Sequence, residues 1–338
     1  MKAIQITEKG KTKIVEIDKP ALKPGHVLLK VKYVGFCGSD LNTFRGLNPL
    51  VKLPIIPGHE IGAVVEAVAE DVSSGIKPGM NATVNPYTSC GNCPACLNSR
   101  PNACEFNQTF GVQRDGAMSE YLLVPEGKVI ADESISVRDF ALVEPLSVGF
   151  HAVDRAKVTA TDTVMVIGCG MIGLGAIVCA AGRGAKVIAV DVDDKKLELV
   201  KQLGAHYTIN SQKENLHERI YEITGKRGAD VIIEAVGRPE TYLASVSEVA
   251  FTGRIVFIGY AKEKVPFDTQ YFVKKEVDIL GSRNAMPGDF IAVMEYLKKG
   301  TCPVDKLITA EYPPEEAQIA LEKWADNPSD VFRILIRF

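Results

Sequence analysis

The stretch "TVMVIGCGMIGLGA", residues 163–176, constrains the fold more than any other part of the chain. An apolar run leads into Gly168, Gly170 and Gly173, spaced G-x-G-x-x-G, and helix-forming sequence follows. A second apolar run, "KVIAVD", ends at Asp191, eighteen residues past Gly173. Strand, glycine turn, helix, strand and acid in that order predict a dinucleotide-binding βαβ unit. There the first glycine permits the tight turn, the second lets backbone approach a pyrophosphate, and the third packs helix on strand. The helix N-terminus presents free N–H groups to the phosphates. Asp191 is placed to accept hydrogen bonds from a ribose. With Asp193 it repels a 2′-phosphate, so NAD is expected over NADP. Met171 and Ile172 at the helix start, and Val236 and Gly259 after two later strands, complete the expected cofactor-binding set. The plain alternative is that the glycines only pack a helix on a strand.

The same rhythm continues. "TVMVIG", "KVIAVD", "HYTIN", "DVIIEAVG", "RIVFIG" and "VDILGS" are the predicted strands, and segments such as "DDKKLELVKQLGA" carry helical spacing and good helix formers. Six strands with intervening helices imply a parallel, doubly wound Rossmann sheet over 146–285. "RIVFIGY" is read as an edge available for pairing subunits. Residues 1–90 differ: "HVLLKVKYV", "IGAVVEAVA" and "MNATVNP" read as strands punctuated by Pro–Gly pairs. They predict a β domain over 1–145. From about 285 come two helices, "DFIAVMEYLKKG" and "PEEAQIALEKWAD", then a strand, "FRILIRF". With no helix after it, that strand is expected to rejoin the first domain, so about 286–338 would complete it.

With 338 residues, 46% hydrophobic and 24% charged, the chain is a globular one with room for two cores. A formal charge of −3 gives no electrostatic reason to expect nucleic acid or an anionic membrane as partner. The start lacks an apolar core of signal-peptide length, and the most apolar stretch is broken by glycines and Arg183. A cytoplasmic location is the expectation.

Four of the eight cysteines, Cys90, Cys93, Cys96 and Cys104, stand as C-x2-C-x2-C-x7-C in a loop of Gly, Pro and Asn with little to bury. Reduced thiols in that spacing point to metal rather than disulfides. Four thiolates close a tetrahedral zinc site with no open position, so the loop would be held together and would do no chemistry. An iron–sulfur cluster is the other reading. Cys169, Cys179 and Cys302 read as ordinary buried thiols.

A second constellation is spread through the first domain: Cys37 in "GFCGSD", His59 and Glu60 in "PGHEIG", and Glu144 in "EPLSVGFHA". Singly, each is more often structural than ligating. Together, with the cysteine loop, "DGAMSEY" and the glycine motif, they resemble in order and spacing the zinc-dependent medium-chain alcohol/polyol dehydrogenases over essentially the whole chain. "EPLSVGFHA" resembles the sorbitol/xylitol branch, and "FRGLNP" and "GSRNA" resemble the hexonate 5-dehydrogenase branch. The resemblance implies a GroES-like β domain with a catalytic zinc beside the Rossmann domain. It implies zinc ligation by Cys37 and His59, with Glu60 and Glu144 both candidates for direct or water-mediated ligation.

It also implies hydride transfer between a secondary alcohol and NAD. The zinc would acidify the hydroxyl, and Ser39 would start a proton relay or else cap the following helix. Many relatives carry His or Tyr a few residues on, where this chain has Asn42 and Thr43, so the later relay must differ. Arg45 and Arg283 fall in segments that relatives place around the zinc cleft, where a guanidinium can hold a carboxylate. Asn48 and Asn284 are placed to read hydroxyls. A sugar acid such as a hexonate is the first expected substrate, a neutral polyol second and L-threonine third. The resemblance implies a homo-oligomer, dimer or tetramer. The competing reading is a non-catalytic zinc- or nucleotide-binding relative.

Overall fold

The chain divides into two units, Met1–Pro145 with Met286–Phe338 and Leu146–Ala285, in a computed structural model that describes residues 1–338 apart from the side chain of Asp330. The first unit opens on an antiparallel hairpin of β1 (Lys2–Glu8) and β2 (Lys11–Glu16). Then follow β3 (His26–Phe36), α1 (Gly38–Phe44), β4 (Glu60–Val68), β5 (Asn81–Val84), the short α2 (Pro94–Leu97), β6 (Tyr121–Pro125), β7 (Val129–Ala131) and the start of α3 (Val143–Arg155). The spine of its larger sheet is β3, eleven residues long. Val27, Leu29, Val31, Val34 and Phe36 on this strand are buried to 1% exposure or less, and Leu28 is buried as well, because both faces are covered over part of its length. Its first half pairs β6 and its second half pairs a strand from the far end of the chain.

The second unit alternates strand and helix: β8 (Thr163–Ile167), α4 (Met171–Gly182), β9 (Lys186–Asp191), α5 (Asp194–Gln202), β10 (Tyr207–Asn210), α6 (Leu216–Thr224), β11 (Ala229–Glu234), α7 (Pro239–Glu248), β12 (Val249–Phe257), α8 (Gln270–Lys275) and β13 (Asp278–Gly281). All pairings are parallel, in the order β10-β9-β8-β11-β12-β13. The strand order reverses between β8 and β11, the place where open α/β sheets bind ligands at their carboxyl ends. Met165, Ile188, Ile209, Ile232 and Ile255 share one core there. The strand of "RIVFIGY" is not an edge: β12 lies between β11 and β13, because the following apolar run adds one more strand beyond it. Among the described residues no helix is long and apolar enough to cross a membrane.

The chain then returns to the first unit with α9 (Pro287–Lys298), α10 (Val304–Leu307), β14 (Ile308–Tyr312), α11 (Ala317–Asp326) and β15 (Arg333–Arg337). β15 joins the first unit's sheet, antiparallel to β3 and parallel to β14. Its register sets Ile334 opposite Phe36, while Glu60 at the start of β4 lies opposite Gly35. Three strands separated widely in sequence thus deliver Phe36–Cys37, Glu60 and Arg333 to one place.

Candidate active site

Cys37 follows the end of β3 and serves as N-cap of α1. Its backbone N–H donates to Asp40 Oδ2 at 2.8 Å. Asp40 therefore does the capping that the sequence offered to Ser39, whose hydroxyl is buried with no hydrogen-bond partner. The reason is position: Asp40 stands three residues after the cap, where a side chain reaches back to the cap's N–H. Ligand atoms of Cys37, His59 and Glu60 lie within 4.8 Å of one another, with His59 and Glu60 buried. Neither oxygen of Glu60 nor Nδ1 of His59 finds a hydrogen-bond partner. Arg333 Nε lies 3.1 Å from Glu60 Oε2, off the hydrogen-bond line, while its Nη1 donates to Phe36 O at 2.7 Å.

Buried polar atoms without partners are costly, and a fully buried carboxylate more so. Burial pushes the Glu60 carboxyl up to about 7, against the pull of Arg333 and with the help of Glu144. Burial works to lower the His59 imidazole, yet the Cys37 sulfur and the charges of Glu144 and Asp40 raise it well above its ordinary value. A buried imidazole whose charged form is favoured by a neighbouring sulfur and carboxylates sits in a pocket short of positive charge. Thiolate, imidazole and carboxylate with orphaned atoms at ligand spacing fit a divalent cation such as zinc with a position left open. Glu144, in the first turn of α3, stands outside that three-residue group, and its Oε1 accepts a short hydrogen bond from the hydroxyl of Tyr87.

Cys90, Cys93, Cys96 and Cys104 form the second group of ligand atoms within 4.8 Å, partly exposed, with all four thiols free of disulfides. Backbone N–H groups already point at the sulfurs: Cys90 N lies 3.3 Å from Cys104 Sγ, and Cys93 N lies 3.3 Å from Cys90 Sγ. Donation from the backbones of Cys96 and Glu105 lowers the Cys93 thiol to about 6. Burial pushes the neighbouring Cys96 thiol up to about 11, so the donors favour thiolate unevenly, and it is the four sulfurs at ligand spacing that fit a closed metal site.

The second unit holds the glycine turn. Gly168 takes φ +95°, and a Cβ there would sit 2.7 Å from Val236 Cγ2. A Cβ on Gly173 would lie 1.7 Å from Gly168 O, so only glycine lets α4 pack this close to the turn. Gly170, the N-cap of α4, faces open space, and Met171 and Ile172 form the first turn behind it. An open cradle before a twelve-residue helix fits a pyrophosphate. Gly259 packs its backbone on Gly237, where a Cβ would fall 2.3 Å from Gly237 N, at the carboxyl ends of β12 and β11. Asp191 ends β9, as the spacing predicted, but three backbone N–H groups already use it: Cys169 at 2.6 Å, Val192 at 2.7 Å and Asp193 at 3.0 Å. A carboxylate has about four acceptor sites, so room for a ribose hydroxyl is narrow.

The chain matches the family model of the alcohol dehydrogenase GroES-like domain over residues 23–133 and that of the zinc-binding dehydrogenases over 172–299. It is 32% identical to the L-galactonate-5-dehydrogenase of Escherichia coli strain K12 over 92% of this chain and 91% of that one. The chain belongs to the zinc-dependent medium-chain alcohol/polyol dehydrogenases. The sorbitol dehydrogenase of Bacillus subtilis strain 168 is 31% identical over 99% of this dehydrogenase and 97% of that one. The solved alcohol dehydrogenase RspB of Escherichia coli CFT073, complexed with NADH, superposes with a TM-score of 0.92 at 31% identity, covering 100% and 99% of the two chains. As a member, this dehydrogenase acts on a CH–OH group with zinc and NAD.

The expected carboxylate-binding residues look different in place. Arg45 donates a short hydrogen bond to Ala325 O, and Asn48 donates to Thr43 Oγ1 at 3.1 Å. Arg283 is exposed, beside Asn284 at φ +54°. Sequence reasoning missed three residues around the candidate metal-binding group. Asp40 was findable, since an acid three residues after a cap is a local signal. Tyr87 and Arg333 reach the pocket only through tertiary pairing and left no local trace.

Proposed function

We propose that the protein oxidises a secondary hydroxyl of a polyol or sugar acid with NAD, with a hexonate as substrate. The carrying observation is the Cys37–His59–Glu60 group, of mixed donors, with its imidazole and carboxylate buried and both Glu60 oxygens and His59 Nδ1 left unbonded. Bound zinc would acidify the substrate hydroxyl and the dinucleotide would take the hydride. On this reading Cys37, His59 and Glu60 hold the metal, and Arg333 restrains Glu60 against leaving. Glu144 adds charge beside the imidazole, which keeps the pocket attractive to a cation. Ser39, buried with its hydroxyl unpaired, is placed to accept a hydrogen bond from the substrate hydroxyl and to relay the proton, passing its own on to water as it takes that one. The cysteine quartet holds its loop with a second zinc. Gly168, Gly170, Met171, Ile172, Gly173 and Asp191 hold the dinucleotide, with Val236 and Gly259 lining the same strand ends.

The hexonate assignment is supported by the likeness to the L-galactonate-5-dehydrogenase. A neutral polyol is the second reading, favoured by the prior engagement of Arg45 and Asn48 within the fold. The deciding experiment is a screen of NAD reduction over hexonates, polyols and L-threonine, repeated with NADP. Hexonate turnover that falls in Arg283→Ala, with polyol turnover untouched, supports the carboxylate assignment. Equal hexonate turnover in Arg283→Ala and wild type refutes it. A homo-oligomer, read from the family, is checked by light scattering on the same preparation.

A further inference from the structure

The donor set does not explain Tyr87. It lies between β5 and Cys90, three residues before the first cysteine of the quartet. Its side chain is buried, its ring stands edge-on to Phe290 at a centroid distance of 6.3 Å, and its hydroxyl donates to Glu144. An apolar Phe would fill the same volume, so the hydroxyl is present for the carboxylate. A buried donor on a carboxylate leaves that group few orientations and removes the cost of an orphaned oxygen.

The segment that carries Tyr87 is pinned from both sides. Asn85 N donates to Lys128 O at 2.8 Å, and Lys128 Nζ donates to Tyr87 O at 2.6 Å. The arm of the chain that leaves the cysteine loop holds the other side: Thr88 N donates to Asn107 Oδ1 at 3.1 Å, Gln108 N to Thr88 Oγ1 at 2.6 Å, and Phe110 N to Pro86 O at 3.3 Å. The entering and leaving arms flank Cys90 and Cys104, so the loop that brings the four sulfurs together is continuous with the segment that carries Tyr87.

We propose that Tyr87 is a positioning residue that holds the Glu144 carboxylate beside the Cys37–His59–Glu60 group, and that through it the cysteine loop tunes the metal at that group. The proposal rests on the reading that Cys37, His59 and Glu60 bind zinc. Outer partners of metal-site groups commonly change metal affinity 10–100-fold when removed.

The test follows zinc loss from the holoenzyme to excess chelator with a chromogenic dye, in wild type, Tyr87→Phe, Glu144→Gln and the double variant. One of two zincs should leave Tyr87→Phe about 10-fold faster, with the other unchanged as an internal check of folding. In the Glu144→Gln background, which keeps an acceptor for the phenol but removes the carboxylate charge that it positions, Tyr87→Phe should add no further acceleration. The visible d–d bands of the cobalt-substituted protein should shift in Tyr87→Phe. Asn107→Ala, which keeps the phenol and loosens its segment, should accelerate release in the same direction by less. Wild-type release from Tyr87→Phe, or an acceleration that persists in full with Glu144→Gln, overturns the role of Tyr87. Wild-type release from Asn107→Ala overturns the loop's part in it. A wild type that holds one zinc refutes the metal reading itself, whereas two zincs indifferent to Tyr87→Phe refute only this proposal.

Discussion

The two ligand groups of the first unit solve opposite problems. The quartet Cys90–Cys104 draws every ligand from one fifteen-residue loop with a four-residue helix in it, partly exposed and with little apolar surface. The group of Cys37, His59 and Glu60 draws on two segments that β3 and β4 bring together, deep enough to bury imidazole and carboxylate. On the proposed reading a metal would organise the chain in the first case, where the loop has little else to offset its entropy. In the second the sheet would organise the metal, and the unbonded donor atoms would be a cost that the fold sustains for chemistry. Four sulfurs leave no open position, whereas three mixed donors leave one for substrate.

Crossed substitutions break this comparison if it is wrong. Cys37→Ser should lower kcat/KM by roughly a thousandfold or more, since loss of the metal forfeits several kcal/mol of transition-state stabilisation. Its thermal unfolding should stay close to wild type and its zinc content fall from two to one. Cys96→Ser should do the reverse in kind: protease nicking between residues 90 and 104 and a lowered unfolding midpoint, with residual activity following the folded fraction when zinc is kept saturating. Metal analysis, steady-state kinetics and limited proteolysis on both variants decide it. Equal thermal destabilisation by the two would show that both sites are structural.

Gly35 gives a smaller effect that sharpens the account of the open site. It lies opposite Glu60 in the β3–β4 ladder, and a Cβ there would stand 2.2 Å from Glu60 Oε2. Gly35→Ala must push a flexible carboxylate aside, not backbone, so the sheet should persist. Zinc affinity at the open site should fall about tenfold, as for other displaced metal-site partners, and the quartet should keep its metal. Chelator competition monitored by metal analysis checks this. Unchanged affinity would mean that Glu60 contributes nothing to holding the ion.

Legibility followed the same divide. The second unit was readable because each of its signals is local: period-2 apolar runs, helical spacing, and glycines whose roles at 168 and 173 are fixed within a few residues. The quartet was readable for the same reason. The Cys37–His59–Glu60 group was only partly readable, because its members stand in local motifs while their partners do not. Cys37 and Asp40 share a cap and could be found from spacing. Arg333 meets Glu60 only because β15 crosses back beside β3, and Tyr87 meets Glu144 only because the loop's two arms are tied together. The interior place of β12 was misjudged since strand neighbours in a parallel sheet are set by crossovers, which no single run of sequence records.

The smallest expected effect lies away from both groups and serves as their control. Asp132, just past β7, accepts from Lys298 Nζ at 2.7 Å and from Ser134 N at 2.8 Å. The Lys298 hydrogen bond first, then those from Ser134, lower its carboxyl from the ordinary 3.8 to about 2. A carboxyl depressed on folding stabilises the native state above its unfolded value, near pH 4, and that contribution is lost as pH falls toward 2. Both partners are partly exposed, so solvent screening keeps the effect modest. Asp132→Asn should therefore lower stability slightly at neutral pH and flatten the stability profile between about pH 4 and 2. Metal sites lose their ions in acid as thiolates and imidazole protonate, which also destabilises the fold. Denaturant titrations of wild type and Asp132→Asn across this range, with and without chelator, separate the two causes. The Asp132 difference should survive chelation unchanged, because its partners touch neither ligand group; a difference that vanishes with the metal would tie this corner of the sheet to the zinc sites after all.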